Sequence, residues 1–115
     1  MDNNDIFESN TRSAGDQVGV FEYDGETGYF YLYDTTGKDS RKVLGAIHVL
    51  TDTPDFEEHD VAIRWDSLEQ AVGLFIRDHL WAAFDLQTGT KYGGNYRSSN
   101  LPEIPEAICN VFKSK

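Results

Sequence analysis

From Val18 onward, apolar and polar residues alternate in short runs separated by turn-forming clusters, the two-residue period of half-buried strands. "VGVFEY" (18–23), "YFYLY" (29–33), "KVLGAIHVL" (42–50) and "VAIRW" (61–65) read as strands, with Val61, Ile63 and Trp65 sharing a face. "QAVGLFI" (70–76) and "LWAAFDL" (80–86) follow, and "TKYGGNY" (90–96) is a weaker strand interrupted by Gly93 and Gly94. The connections "DGETG", "DSLE" and "RDH" have hairpin length. "AVGLFI" and "LWAAF" are apolar at both alternations, which predicts central strands covered on both faces. Residues 1–16 read as a polar lead-in in which "IFES" (6–9) adds a short edge strand, and Pro54 stops any strand in the acidic loop "DTPDFEEHD" (52–60). In the tail, Ile104, Ile108 and Phe112 recur at spacing four with Ala107 and Val111 alongside, predicting a helix over 102–113. Glu103 and Glu106 at its start and Lys113 and Lys115 at its end suit the helix dipole. The expected architecture is one mostly-β domain, an antiparallel meander over 18–96 forming a curved sheet or a small sandwich, with a short C-terminal helix over an open face or edge.

Composition adds a constraint on partners. At 115 residues, 39% hydrophobic and 13% aromatic, the chain can bury one core without staples, and no repeat or linker-like tract divides it. Residues 1–60 hold fourteen acidic and four basic side chains, which accounts for the whole net charge of −10, while the rest is balanced. Phosphate backbones and anionic membranes need positive partners, so no nucleic acid and no membrane is expected, and a basic protein is the natural electrostatic partner. Solubility alone is the bland reading of the same charge. The lone Cys109 excludes an intramolecular disulfide and a cysteine-built zinc site. The acidic start "MDNNDIFESN" differs from a secretory leader and no apolar run approaches ~20 residues, so a cytoplasmic location is expected.

Chemistry-bearing motifs are sparse. Asp24–Gly28, Asp34–Gly37 and Asp85–Gly89 each end a strand with Asp and return through Thr-Gly. Oxygen ligands for calcium are one reading, but the closing glutamate of an EF-hand is missing and plain turn chemistry explains them better. His48, His59 and His79 make no i, i+4 pair. His59 lies in "EEHD", where the carboxylates favour its protonated form; a metal site with Glu57, Glu58 or Asp60 is the sharper reading and a solvated loop the plainer one. There is no G-x-S-x-G and no phosphate-binding glycine loop, Ser67 in "WDSLE" reads as a turn residue, and Cys109 reads as a packed apolar residue on or beside the helix's apolar face. No catalytic residue, metal or cofactor is expected, and the chain is not read as an enzyme.

The segment "YDGETGYFYLYDTTG" (23–37) holds the most distinctive pattern. Tyr29, Tyr31 and Tyr33 fall on one strand face, and Phe30 and Leu32 on the other. The apolar pair fits the core, which leaves the tyrosines either on an exposed binding face or packed under the N-terminal segment or the tail helix. Together, "IFESNT" (6–11), "FEYDGETGYFYLYD" (21–34), "VAIRW" (61–65), "AVGLFI" (71–76) and "AFDL" (83–86) resemble a family of small bacterial proteins catalogued only as a domain of unknown function. The likeness runs over most of residues 6–96, "DGETGYFY" is its most specific piece, and the 52–60 insert and the tail are less alike. It implies a small bacterial cytoplasmic domain and brings no catalytic residues. The functional expectation is a non-catalytic acidic domain that binds a basic protein through Asp24, Glu26, Tyr29, Tyr31, Tyr33, Asp34, Asp55, Glu57, Glu58 and Asp60. An immunity- or antitoxin-like inhibitor is its concrete form. The alternative is an accessory domain that binds a small ligand or forms a homo-oligomer, such as a homodimer.

Overall fold

The computed structural model describes residues 5–36, 42–51, 53–96, 102 and 104–113. Two four-stranded antiparallel sheets, each a meander contiguous in sequence, pack face to face, so the sandwich is the form the chain takes. The first sheet runs β1 (Ile6–Thr11), β2 (Gln17–Tyr23), β3 (Thr27–Asp34), β4 (Lys42–Thr51). The second runs β5 (Val61–Trp65), β6 (Ala71–Ile76), β7 (His79–Asp85), β8 (Thr90–Gly93), and a helix α1 (Glu106–Val111) follows. The inner faces interdigitate through Phe21, Phe30, Leu32 and Val49 on one side and Ile63, Val72, Leu74 and Phe84 on the other. β6 and β7 are the two central strands of the second sheet, and every residue of β6 is buried, as their unbroken apolar character predicts.

Three boundaries differ from the sequence expectation, each for a physical reason. The lead-in contains a full edge strand: β1 pairs with β2 from Ile6↔Tyr23 to Thr11↔Val18. Its inward positions after Ile6 are Glu8 and Asn10, which hides the alternation; Asn10 Nδ2 instead donates to the Ile63 carbonyl at 2.7 Å, joining the edges of the two sheets. β8 ends at Gly93, because Gly93, Gly94 and Asn95 all take positive φ and turn the chain onto β4. There the N–H groups of Asn95 and Tyr96 donate to the carbonyls of His48 and Val49, joining the opposite pair of edges. The helix spans only Glu106–Val111, since Pro105 stands extended as its N-cap and holds Ile104 outside. Ile104, Ile108 and Phe112 are half-buried as expected, whereas Ala107 and Val111 are exposed; residues 103, 114 and 115 lie outside the described residues.

The two outer faces are treated differently. On the second sheet, Phe112 meets Phe75 edge-on at 5.5 Å between centroids and the Arg64 guanidinium lies 4.5 Å from the centroid of the Phe75 ring. The tail thus covers the middle of that face. On the first sheet, no described element covers the outer face.

Local chemistry fixes the turns. Asp66 is a buried carboxylate whose Oδ1 accepts the N–H groups of Gln70 at 2.7 Å and Ala71 at 2.9 Å, closing the β5–β6 turn. Removing it strands one buried donor, the Ala71 N–H, and one partly buried donor, the Gln70 N–H. Asp66→Ala is expected to cost about 2–3 kcal/mol in urea denaturation. Asp66→Asn, which keeps an acceptor oxygen, should cost clearly less. Gly28 leaves no room for a side chain, because a Cβ there would sit 2.6 Å from Leu50 Cδ2 and 3.2 Å from the Phe21 ring. Gly28→Ala should lose about 1–3 kcal/mol by overpacking, read from the same denaturation curves.

Candidate functional site

β3 alternates as its sequence implies. Phe30 and Leu32 are buried between the sheets; Tyr29, Tyr31 and Tyr33 project from the outer face and are half-buried. Tyr29 lies opposite Glu22 on β2 and His48 on β4, Tyr31 opposite Val20 and Ala46, and Tyr33 opposite Val18 and Val43. The rings form a continuous row: Tyr29 stacks on Tyr31 at 5.7 Å and 19°, Tyr31 meets Tyr33 at 5.6 Å, and His48 stands edge-on to Tyr29 at 5.3 Å. Val18 and Val20 point to this same outer face yet are buried, so the tyrosine row shields them. The face is therefore covered by its own aromatic layer and not by another element. Phe7 on β1 and Val43 on β4 extend it to both edges of the sheet, at 52% and 49% exposure. Burial, followed by the neighbouring Tyr33 and Glu22, raises the Tyr31 phenol above its ordinary range.

The acidic turns bracket this row without joining it into one cluster. Asp24 Oδ1 accepts the N–H groups of Thr27 and Glu26, which holds its carboxyl below the ordinary range. Asp34 is lowered in the same way by the Thr36 hydroxyl and N–H, and Asp85 accepts the N–H of Gln87. All three carboxylates are thus engaged in turn chemistry. Asp24 and Glu26 sit at one end of β3 and Asp34 at the other, roughly 23 Å apart at strand rise. Among the described residues, no three His, Cys, Asp or Glu side chains converge to hold a metal ion.

The acidic loop follows β4 and carries the chain to the second sheet. Its Phe56 is buried at the end of the sandwich, tilted against Phe21 at 6.4 Å and edge-on to Tyr96 at 5.0 Å, with Tyr96 in turn 4.5 Å from Trp81. Arg77 organises its charges. Its guanidinium lies 3.8 Å from both Asp55 and Asp60 and also donates to the Asp55 carbonyl, while Asp60 caps the 3₁₀ turn Glu58–Asp60 through the Glu57 N–H. Glu58 accepts the N–H of Phe7, and His59 lies 3.4 Å from Glu57 and 3.5 Å from Asp60. Asp55 and Asp60 therefore serve the fold, and the Glu57 side chain is more exposed than either. The loop stands at the Asp24 end of the first sheet, because Thr27 pairs with Thr51 there.

The other candidates disperse. His79 opens β7, Ser67 lies in the β5–β6 turn, and Cys109 is half-buried with its Sγ 3.9 Å from the Ile104 carbonyl. Sequence reasoning missed Glu22, which the strand register places among the tyrosines, and Tyr96, whose hydroxyl donates to Asp55 at 2.6 Å. Burial and then that hydrogen bond push the Tyr96 phenol up to about 12. Its folded-state value is raised, so the bond's contribution is complete below about pH 10 and is lost as pH rises towards 12. A spectrophotometric titration of the wild type against Tyr96→Phe should show the missing phenol ionising near pH 12, and Asp55→Asn should shift that step down. Amplitude lost near pH 10 in Tyr96→Phe would contradict the assignment.

No curated protein and no solved structure is significantly similar to the chain. A family model described as "Uncharacterized protein conserved in bacteria (DUF2251)" matches residues 2–108, nearly the whole length, in keeping with the resemblance carried by "DGETGYFY" and the strands around it. The chain belongs to this uncharacterised bacterial family.

Proposed function

We propose that this chain is a non-catalytic protein-binding domain whose tyrosine face docks a basic partner, an immunity- or antitoxin-like inhibitor being its concrete form. The observation that carries the reading is the unequal treatment of the two outer faces. The second sheet's face is covered by the chain's own tail, whereas the first presents Tyr29, Tyr31, Tyr33, Phe7 and Val43 with no covering element among the described residues. Tyrosines held in a stacked row lose little conformational freedom on binding and present both apolar area and a hydroxyl, the usual character of interface anchors.

Charge complementarity selects the occupant. Glu22 stands within the face, Asp24 and Glu26 lie at one end and Asp34 at the other, and Glu57 and Glu58 continue the negative rim past the Asp24 end. The cations described at the Asp34 end are each matched by an aspartate: Lys42 lies across the strands from Asp34, and Arg12 pairs with Asp16. Such a rim repels a second copy of the same face and steers a cationic protein towards it. A partner captured by a photo-crosslinker placed beside Tyr31 should be basic, and the purified pair should bind more weakly as salt rises. Tyr31→Ala and Tyr33→Ala should each weaken it by about 2 kcal/mol, roughly thirtyfold. Neutralising Glu57 and Glu58 together should slow association without abolishing binding. Sedimentation as a dimer that Tyr31→Ala disrupts would instead assign the face to self-association.

A further inference from the structure

The strand register resolves the tyrosine face into ranks that run across the sheet. Phe7, Glu22, Tyr29 and His48 form the rank nearest the Asp24 end, each directly opposite the next on β1, β2, β3 and β4. Directly opposed residues point to the same side, so this rank sets a carboxylate between two aromatic side chains. The next two ranks are Ser9, Val20, Tyr31, Ala46 and Thr11, Val18, Tyr33, Val43. Neither holds a charged residue, so Glu22 is the one carboxylate within the three ranks.

The Phe7 N–H points away from β2 and donates to Glu58 Oε2 at 3.2 Å. Phe7 and Glu22 are therefore a non-hydrogen-bonded pair, with Cα atoms about 4.5 Å apart, and Glu22 and Tyr29 are the hydrogen-bonded pair that alternates with it, about 5.5 Å apart. The two rings thus spring from positions roughly 10 Å apart, with the Glu22 side chain between them. A flat group held between two rings needs roughly 7–8 Å, twice the usual carbon contact distance. The tyrosine row itself is closed to such a guest, because its ring centroids are only 5.7 and 5.6 Å apart. Tyr29 is already fixed in place, stacked on Tyr31 and met edge-on by His48. Around the face, Asp24, Asp34 and Glu58 are tied to backbone N–H groups. Glu22 is exposed and has no hydrogen-bond or ion-pair partner among the described residues.

We propose that Phe7, Glu22 and Tyr29 form a seat for an arginine side chain of the basic partner, its guanidinium on the Glu22 carboxylate and its flat faces against the two rings. The inference rests on the protein-binding reading of this face and names the anchor that face receives. Arginine fits where lysine does not: its planar fork matches a carboxylate with two parallel N–H bonds and stacks on aromatic rings, whereas an ammonium is a strongly hydrated point charge. The rings and the carboxylate then act on the same group, the first through cation–π attraction and the second through charge-assisted hydrogen bonds.

Acetylated and amidated Gly-Arg-Gly and Gly-Lys-Gly are suitable probes, because each carries one positive charge and they differ in the head group. Titrated into the full chain at physiological salt and followed by amide chemical shifts, the arginine peptide should give saturable changes centred on Phe7, Glu22 and Tyr29. It should bind roughly three- to tenfold more tightly than the lysine peptide. Glu22→Gln, which keeps the side chain's shape, should weaken the arginine peptide roughly tenfold. Phe7→Ala, at an exposed edge position, should remove the preference for arginine. Equal affinity for the two peptides, saturable shifts centred elsewhere, no saturable shift, or arginine binding unchanged in Glu22→Gln would overturn the proposal. So would concentration-dependent shifts at Phe7 and Glu22 without peptide, which would put a second copy in the seat. The crosslink beside Tyr31 tests the protein-binding reading without either peptide, so the two can fail separately.

Discussion

One covalent passage, the segment between Thr51 and Val61, joins two sheets whose strands otherwise pair only with their sequence neighbours. How that passage is pinned sets how the two halves meet at one end of the sandwich. Phe56 supplies the apolar part by entering the end of the core, and Arg77 supplies the polar part by gathering Asp55 and Asp60. Arg77 and Asp78 form the tight β6–β7 turn with φ of 52° and 69°, a conformation that glycine or asparagine would adopt more easily. From that strained position the arginine side chain reaches the loop. A second clamp works at the far end, where Arg12 pairs with Asp16 in two hydrogen bonds, donates to the Glu69 carbonyl and lies 5.8 Å from the centroid of the Trp65 ring. Ser13 adds its hydroxyl and N–H to the Glu69 carboxylate, so the β1–β2 and β5–β6 turns are laced together.

With both seams and both ends secured, the outer faces are free to diverge. The second sheet's face is folded away under α1 and Arg64. The first sheet's face keeps a tyrosine layer, rigid because its members stack on each other and on His48. This division gives one small domain one outer face covered by its own tail and one left uncovered among the described residues.

Much of this was legible in the residues. The strands from "VGVFEY" to "LWAAFDL" follow from alternation and turn chemistry, and β6 and β7 were identifiable as central from their two-sided apolar character. The in-and-out assignment of Phe30 and Leu32 against Tyr29, Tyr31 and Tyr33 needed only the period of two. β1 was less visible, because an edge strand whose inward positions are Glu8 and Asn10 carries little hydrophobic signal. The acidic loop read as a solvated patch, since no local pattern shows that Arg77, seventeen residues beyond Asp60, returns to it. Tyr96 was invisible for the same reason: its role is set by contacts with Asp55, Phe56 and Trp81, all distant in sequence.

The charge asymmetry has a further meaning once the topology is known. Residues 1–60, which hold the entire net charge of −10, are the first sheet together with the crossover. During synthesis this half emerges with both of its faces apolar, Phe21 and Phe30 on one side and the tyrosine row on the other, before the second meander exists to cover the inner one. A half-made sandwich of that kind is the species most prone to stick to its own copies. Fourteen carboxylates against four cations make those nascent copies repel one another through the interval when hydrophobic surface is least protected. The neutral second half can then add onto a partner that mutual repulsion has kept dispersed.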